Sequence, residues 1–271
     1  MSIALYDLGH DEREIERLQL QATIIAGVTR RLIAECRIAP GMRVLDLGCG
    51  AGDVSMLLAE AIGPSGSVIA VDREPRAIEA ARHRADAAGY RQVDFIIGSD
   101  QNLPVSGPFD AVFGRYVLIH QQDPVAFVRH AAAAVRCGGI VAFHELALDV
   151  MGHSSPPLQL FERICRCLRE ASRALRPHYD IATRLVACFE DAGLPAPHLL
   201  WESLAGDHAS PSLRLLALTY RSMLPHIQRL GLAPADDGDP TTLGDRLAAD
   251  AAALRAQIVP IPQCCAWARR T

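Results

Sequence analysis

Val44-Leu-Asp-Leu-Gly-Cys-Gly-Ala-Gly-Asp53 places three glycines at alternate positions, directly after a short apolar run and directly before a helical pattern. A strand that turns through glycines into a helix lets the backbone approach a ligand closely. The spacing is G-x-G-x-G, and Asp53 stands where a dinucleotide fingerprint has its third glycine. Asp46 lies at the end of the strand, just before the loop. Carboxylates there disfavour a pyrophosphate and favour a ligand that carries ammonium or sulfonium charge. The next apolar run ends in Val71-Asp72, 20 residues after Gly52. An acid at that point accepts both hydroxyls of a ribose. A helix N-cap is the plainer reading of Asp72 alone, and its pairing with the glycine loop favours the ribose.

Working outward, residues 11–36 show apolar positions at helical spacing, with Ile15, Leu18, Ala22, Ile25 and Leu32 on one face. Pro40-Gly41 breaks that pattern. Strands are then expected at 43–47, 67–71, 94–97, 110–113 and 139–145, the last after a turn at Cys137-Gly-Gly139. Helices at 53–62, 75–88 and 124–134 alternate with them. That order predicts a parallel sheet with helices on both faces. Further helices are expected at 158–175 and 181–192, and strands at 198–203 and 264–269. The roughly 60 residues between the two late strands exceed any hairpin connection. They carry helical patterns at 210–230 and 242–256.

The bulk properties exclude several classes. The chain has 271 residues, half of them hydrophobic, and a net charge of −4; every one of its 27 basic residues is Arg. A mildly acidic chain without a basic run argues against a nucleic-acid partner, which needs clustered positive charge. The eight cysteines form no C-x-x-C pair, so no structural zinc site is expected. Free thiols in a reducing compartment, the cytoplasm, are expected instead. The N-terminus lacks the pattern of a signal peptide. No apolar run approaches the ~18 residues of a membrane span.

The segments VLDLGCGAGDVS, VIAVDREP, FDAVFGRYVLIH and AVRCGGIVAF, in that order, resemble the motifs of class I S-adenosylmethionine (SAM)-dependent methyltransferases. The closest likeness is to the ubiquinone/menaquinone-biosynthesis-like small-molecule group. The resemblance is strong over residues 40–148 and looser at Ala266-Trp-Ala-Arg-Arg270. It implies an α/β, Rossmann-like, seven-stranded sheet whose last strand is antiparallel. It also implies an N-terminal helical lid (1–40) and a SAM-binding core (41–204). The helical patterns between the two late strands read, from this sequence itself, as a helical cap (205–262) inserted between strands six and seven, before the final strand (263–271).

Carried over by residue, the resemblance puts Gly48 and Gly50 under the methionine part of SAM, Asp46 at its amino group, and Asp72 with its neighbour Arg73 at the ribose. Ser99 stands where the family has the acid that reads adenine. Either Ser99 itself or Asp100, one place along, takes that role ahead of Leu103-Pro104, and Gln101 is a further candidate. Arg115 and Tyr116 would lie beside the methionine part. Tyr6, Asp7, Arg17 and Gln21 are the polar lid candidates, with a solvated helix face as the alternative.

Methyl transfer is an in-line displacement that chiefly needs alignment and exclusion of water. A general base is needed only for some acceptors. His120 is the candidate base; a capping or core histidine is the competing reading. His144 and Glu145 end the fifth strand, and alternation lets only one face the cleft. His144, Tyr220 and Arg221 are the substrate-binding candidates. Arg115 and Tyr116 occupy the place where a metal-dependent relative has acidic ligands, so no catalytic metal is expected. The expected partner is a small-molecule acceptor of O, N or C type, in specialised metabolism. The cap also suits a homodimer surface. The alternatives are a SAM-binding, non-methylating cyclase-like enzyme, or a methyltransferase acting on protein or nucleic acid.

Overall fold

The computed structural model describes residues 12–99, 107–233 and 238–271. Tyr6, Asp7, Asp100, Gln101 and Leu103-Pro104 lie outside the described residues. The chain divides into two compact units. Of the described residues, the α/β unit comprises 27–99, 107–147, 180–201 and 263–271; the helical unit comprises 12–26, 148–179, 202–233 and 238–262. Residues 148–179 therefore group with the helices, whereas the sequence division counts them with the core.

In the α/β unit, β1 (Arg43–Leu47), β2 (Ser67–Asp72), β3 (Val93–Ile97), β4 (Phe109–Arg115) and β5 (Val135–Leu146) run parallel. β9 (Gln263–Arg269) pairs antiparallel with β5, from Ile140 opposite Arg269 to Leu146 opposite Gln263. β7 (His198–Glu202) completes a seven-stranded sheet in the order β3-β2-β1-β4-β5-β9-β7. The central strands are apolar on both faces, as a parallel sheet covered by helices requires. Val44, Leu45, Val112, Phe113, Val141 and Phe143 are all buried.

The helices α2 (Asp53–Ile62), α3 (Pro75–Ala88), α4 (Pro124–Ala134) and α6 (Leu185–Asp191) connect these strands. Two of them start in the same way. Glu74 caps α3 and Asp123 caps α4 with a side-chain oxygen, and each is followed by a proline at the first helical turn. Such a residue satisfies a backbone donor while the proline gives up none that the helix would use.

Two expectations need correction. The Cys137-Gly-Gly139 segment is not a turn before the strand: β5 already begins at Val135, and the register against β4 shifts between Phe109 and Ala111. Gly138, at φ 75°, accommodates that irregularity, and its N–H donates to Arg270 C=O. The helix expected at 181–192 is a 3₁₀ turn, Ile181–Arg184, followed by the shorter α6.

The helical unit holds α5 (Gln159–Leu175), α7 (Pro211–Arg229) and α8 (Leu243–Ala253) around one apolar core that includes Phe161, Leu168, Leu213, Ile227 and Leu247. A short antiparallel ribbon joins β6 (His153–Ser155) to β8 (Gln257–Val259). Three-residue strands are too brief to show a period of two, so the sequence reading missed both. α1 (Glu12–Glu35) begins in this unit and ends in the α/β unit.

Candidate active site

The glycine loop leaves β1 at the strand's carboxyl end, where ligands bind in open α/β sheets. Gly48, Gly50 and Gly52 all have positive φ, at 70°, 53° and 84°. At two of them the side chain is excluded for packing reasons as well. A β-carbon on Gly48 would lie 2.9 Å from Val117 Cγ2, and one on Gly52 would lie 3.0 Å from the Phe95 ring. At Gly50 nothing stands within 4 Å of that position, so the loop is open there.

Two buried carboxylates flank the loop. Asp72, at the end of β2, is tied down at both oxygens: Gly50 N–H donates to Oδ2 and Glu74 N–H to Oδ1, each at 2.9 Å. The acid expected at the ribose thus also holds the middle of the glycine loop, and each oxygen keeps a lone pair for a further donor. Asp46 is fully buried, and its Oδ2 accepts from Ser55 Oγ at 2.6 Å. Its Oδ1 is buried without any partner. Burial pushes the Asp46 carboxyl up to about 6, against the Ser55 hydrogen bond and the nearby Arg115 guanidinium, which pull it down. An orphaned buried carboxylate oxygen calls for a donor or a cation.

Asp53 opens α2 and pairs with Arg84 Nη2 at 2.7 Å, while Arg115 Nη2 stands 3.9 Å away. Arg84 also donates to Ala51 C=O at 2.6 Å. Sequence reasoning took note of Asp53 but missed Arg84, which lies 31 residues away on α3.

Beyond β4 a chain of hydrogen bonds runs through the interior of the α/β unit. Arg115 Nη1 donates to Thr29 Oγ1 at 3.3 Å, and Thr29 Oγ1 lies 3.2 Å from His144 Nδ1. His144 Nε2 lies 3.0 Å from Gln263 Oε1, which also accepts from Tyr116 Oη at 2.5 Å. Gln263 Oε1 can only accept, so the neutral His144 ring donates through Nε2 and keeps Nδ1 as an acceptor facing Thr29 Oγ1. Burial and the Arg115 charge lower the His144 pKa to about 3, so the ring is neutral. Burial likewise raises the Tyr116 phenol. The two rings meet edge to face at 5.5 Å. Thr29 and Gln263 are the members that sequence reasoning did not place. Gln263 carries no local signal; it joins the site only because β9 lies against β5.

Other candidates fall elsewhere. His120 is exposed at the end of the 3₁₀ turn Leu118–His120 that follows β4. Arg73 is exposed and Ser99 half-buried; the N–H of Gly98, just before Ser99, donates to Asp72 C=O at 3.0 Å. Gln21, Tyr220 and Arg221 belong to the helical unit. Gln21 Oε1 accepts from Arg17 Nη1 at 2.8 Å along α1, Tyr220 is buried in the unit's apolar core, and Arg221 is half-buried on α7. Among the described residues no group of three or more His, Cys, Asp or Glu could hold a metal ion.

The strand order, the antiparallel β9, the glycine loop and the acid ending β2 together define the Rossmann-like fold of class I SAM-dependent methyltransferases. The chain belongs to the methyltransferase-domain family, whose model matches residues 38–192. The ubiquinone biosynthesis O-methyltransferase of Methylocella silvestris is 42% identical over 103 residues, covering 37% of this chain and 38% of the relative. The aklanonic acid methyltransferase of Streptomyces sp. strain C5 is 35% identical over 116 residues, covering 42% of this chain and 52% of the relative. The chain thus matches only about 38% to 52% of the length of these curated relatives. A solved structure from Bacillus halodurans C-125 shares the fold, with a TM-score of 0.58 at 17% identity over 90% of this chain and 99% of the other. The family resemblance expected from the motifs therefore holds, and with it SAM as the family's cofactor.

Proposed function

We propose that this chain transfers the methyl group of SAM to a small-molecule acceptor. The observation that carries the reading is the pair of buried carboxylates around an open glycine loop, one of them with an orphaned oxygen. Asp72 would receive the ribose hydroxyls on its remaining lone pairs. Asp46 Oδ1 would take the amino group, directly or through water. Gly48 and Gly50 would admit the methionine part, beside Arg115 and Tyr116. When bound, SAM supplies a methyl group on a sulfonium centre, which needs no metal to be electrophilic.

The chain's own part is to hold that centre and, for an acceptor that carries a proton, to remove it. His144 and Tyr116 are poor bases: both are bonded to Gln263, and burial keeps His144 neutral and Tyr116 protonated. His120 is exposed and is the base in this reading. His120→Ala is expected to lower kcat by about a hundredfold for a proton-bearing acceptor, with the KM for SAM unchanged. Full turnover in that variant would remove His120 from the mechanism.

Tyr220 and Arg221 remain candidates for the acceptor site, Arg221 the better one because Tyr220 is buried in apolar packing. The eight cysteines are all free thiols, which suits the cytoplasm. No helix of the described residues is long and apolar enough to cross a membrane. The deciding experiment is a screen of small-molecule acceptors with SAM, read by mass spectrometry. A gain of one methyl with stoichiometric S-adenosylhomocysteine supports methyl transfer. Conversion of an acceptor without S-adenosylhomocysteine would point to a cyclase-like enzyme instead.

A further inference from the structure

We propose that Glu145 is a positioning residue for the cofactor loop, acting through the turn that follows β4. The turn starts with Tyr116 in the left-handed region, at φ 56°, and continues with Val117 in the right-handed region. That succession aims neighbouring backbone N–H groups at one point and builds a concavity for an acceptor oxygen. Its occupant belongs to the chain itself. Glu145 Oε1 accepts from Val117 N–H at 3.0 Å and from Leu118 N–H at 2.8 Å. The preceding donor, Tyr116 N–H, goes to His144 C=O at 2.8 Å. Two consecutive residues of β5 thus satisfy three consecutive donors of the turn.

Val117 is the cap residue of the 3₁₀ turn Leu118–His120, and no side chain of the turn caps it. Valine has no acceptor to offer, so the carboxyl group from β5 supplies the cap that the local sequence lacks. The Val117 side chain reaches the cofactor loop. Its Cγ2 occupies the space a β-carbon on Gly48 would need, at 2.9 Å, and its Cγ1 does the same for Gly114, at 2.7 Å. Glu145 holds the backbone of the residue on which Gly48 rests, and the same turn ends at His120.

Stability alone is a poor reason for this acid. Glu145 is fully buried, and its Oε2 meets no partner. An apolar side chain of similar size avoids that desolvation. The carboxyl group earns its place through the two N–H groups it fixes.

The proposal rests on the SAM reading above. Its test is calorimetric binding of S-adenosylhomocysteine to the full chain, with thermal melts as the check on folding. Glu145→Gln keeps an oxygen for both N–H groups and is expected to hold the Kd within about threefold of wild type. Glu145→Leu leaves both donors unmet and is expected to weaken binding about tenfold or more. The Glu145→Leu/Val117→Ala double variant is expected to bind no more weakly than Glu145→Leu, because both changes break one path. A purely structural role would lower the melting temperature and leave the Kd of the folded protein alone. Should Glu145→Leu fail to fold, Glu145→Asp, which draws the acceptor back by one methylene, takes its place with the same expected loss. Unchanged affinity in the folded Leu or Asp variant, or additive losses in the double variant, would overturn the positioning role. A wild type that binds no S-adenosylhomocysteine would overturn the cofactor reading itself.

Discussion

Asp72→Ala is expected to weaken binding of S-adenosylhomocysteine by about a hundredfold, in a chain that still folds. The side chain acts in two ways. It ties Gly50 and Glu74 together through their backbone N–H groups, and it presents lone pairs where the ribose is proposed to sit. Hydrogen bonds to a charged group contribute about 1.5–3 kcal/mol each, so losing the ribose pair and loosening the loop reaches the expected range. The sheet does not depend on this carboxylate: β2 keeps its register with β1 and β3 through backbone pairs. Asp72→Asn retains one acceptor oxygen and is expected to fall between the two. Calorimetry showing an unchanged Kd for Asp72→Ala would refute the ribose assignment.

The second large effect is on stability against pH. Burial raises the Glu145 carboxyl from 4.5 to about 8, against the backbone N–H groups of the turn, which lower it. Between those values the folded chain holds a proton that the unfolded chain has released. Stability is therefore fully present below about 4.5 and is lost as pH rises through about 8, at about 1.4 kcal/mol per pH unit. Asp46 acts in the same direction over a lower window, from 3.8 to about 6. His144 acts in the opposite direction. Its pKa falls from 6.5 to about 3, so its contribution is present above 6.5 and is lost as pH falls. Below 6.5 these slopes oppose one another, and between about 6.5 and 8 the Glu145 slope stands alone. Denaturant titrations at pH 6.5 and 8 are expected to show wild type losing about 2 kcal/mol across that interval. Glu145→Gln, with nothing to titrate there, should stay flat. Equal slopes in the two proteins would contradict the buried, proton-holding state of Glu145.

Much of the α/β unit was legible because its signals are local. Glycines in Leu47–Asp53, prolines at Pro75 and Pro124, and apolar runs bounded by turns each act within a few residues. β1, α2, α3 and α4 accordingly begin and end where the pattern places them. Asp46 and Asp72 were legible for the same reason, since both adjoin the glycine turn or sit at a fixed spacing from it. Thr29, His144 and Gln263 were not legible as a group. They come from α1, β5 and β9, and only the sheet brings them together. His144 shows the cost of reading polarity alone: a histidine at a strand end suggests a cleft residue, yet here both ring nitrogens are engaged inside the unit. β6 and β8 stayed hidden because their pairing spans about a hundred residues of chain.

The position of β9 has a consequence for synthesis. The strand carrying Gln263 is made after every other strand of the sheet, yet it lies between β5 and β7 rather than at a rim. Until it emerges from the ribosome, β5 presents a bare row of backbone donors and acceptors, flanked by the apolar Val141, Ala142 and Phe143. Such an edge is a template for wrong pairing. The nascent chain must therefore carry an open seam through the sheet until β9 closes it. The arrival of that segment also brings Gln263 to His144 and Tyr116, so sheet closure and assembly of the polar interior are one event.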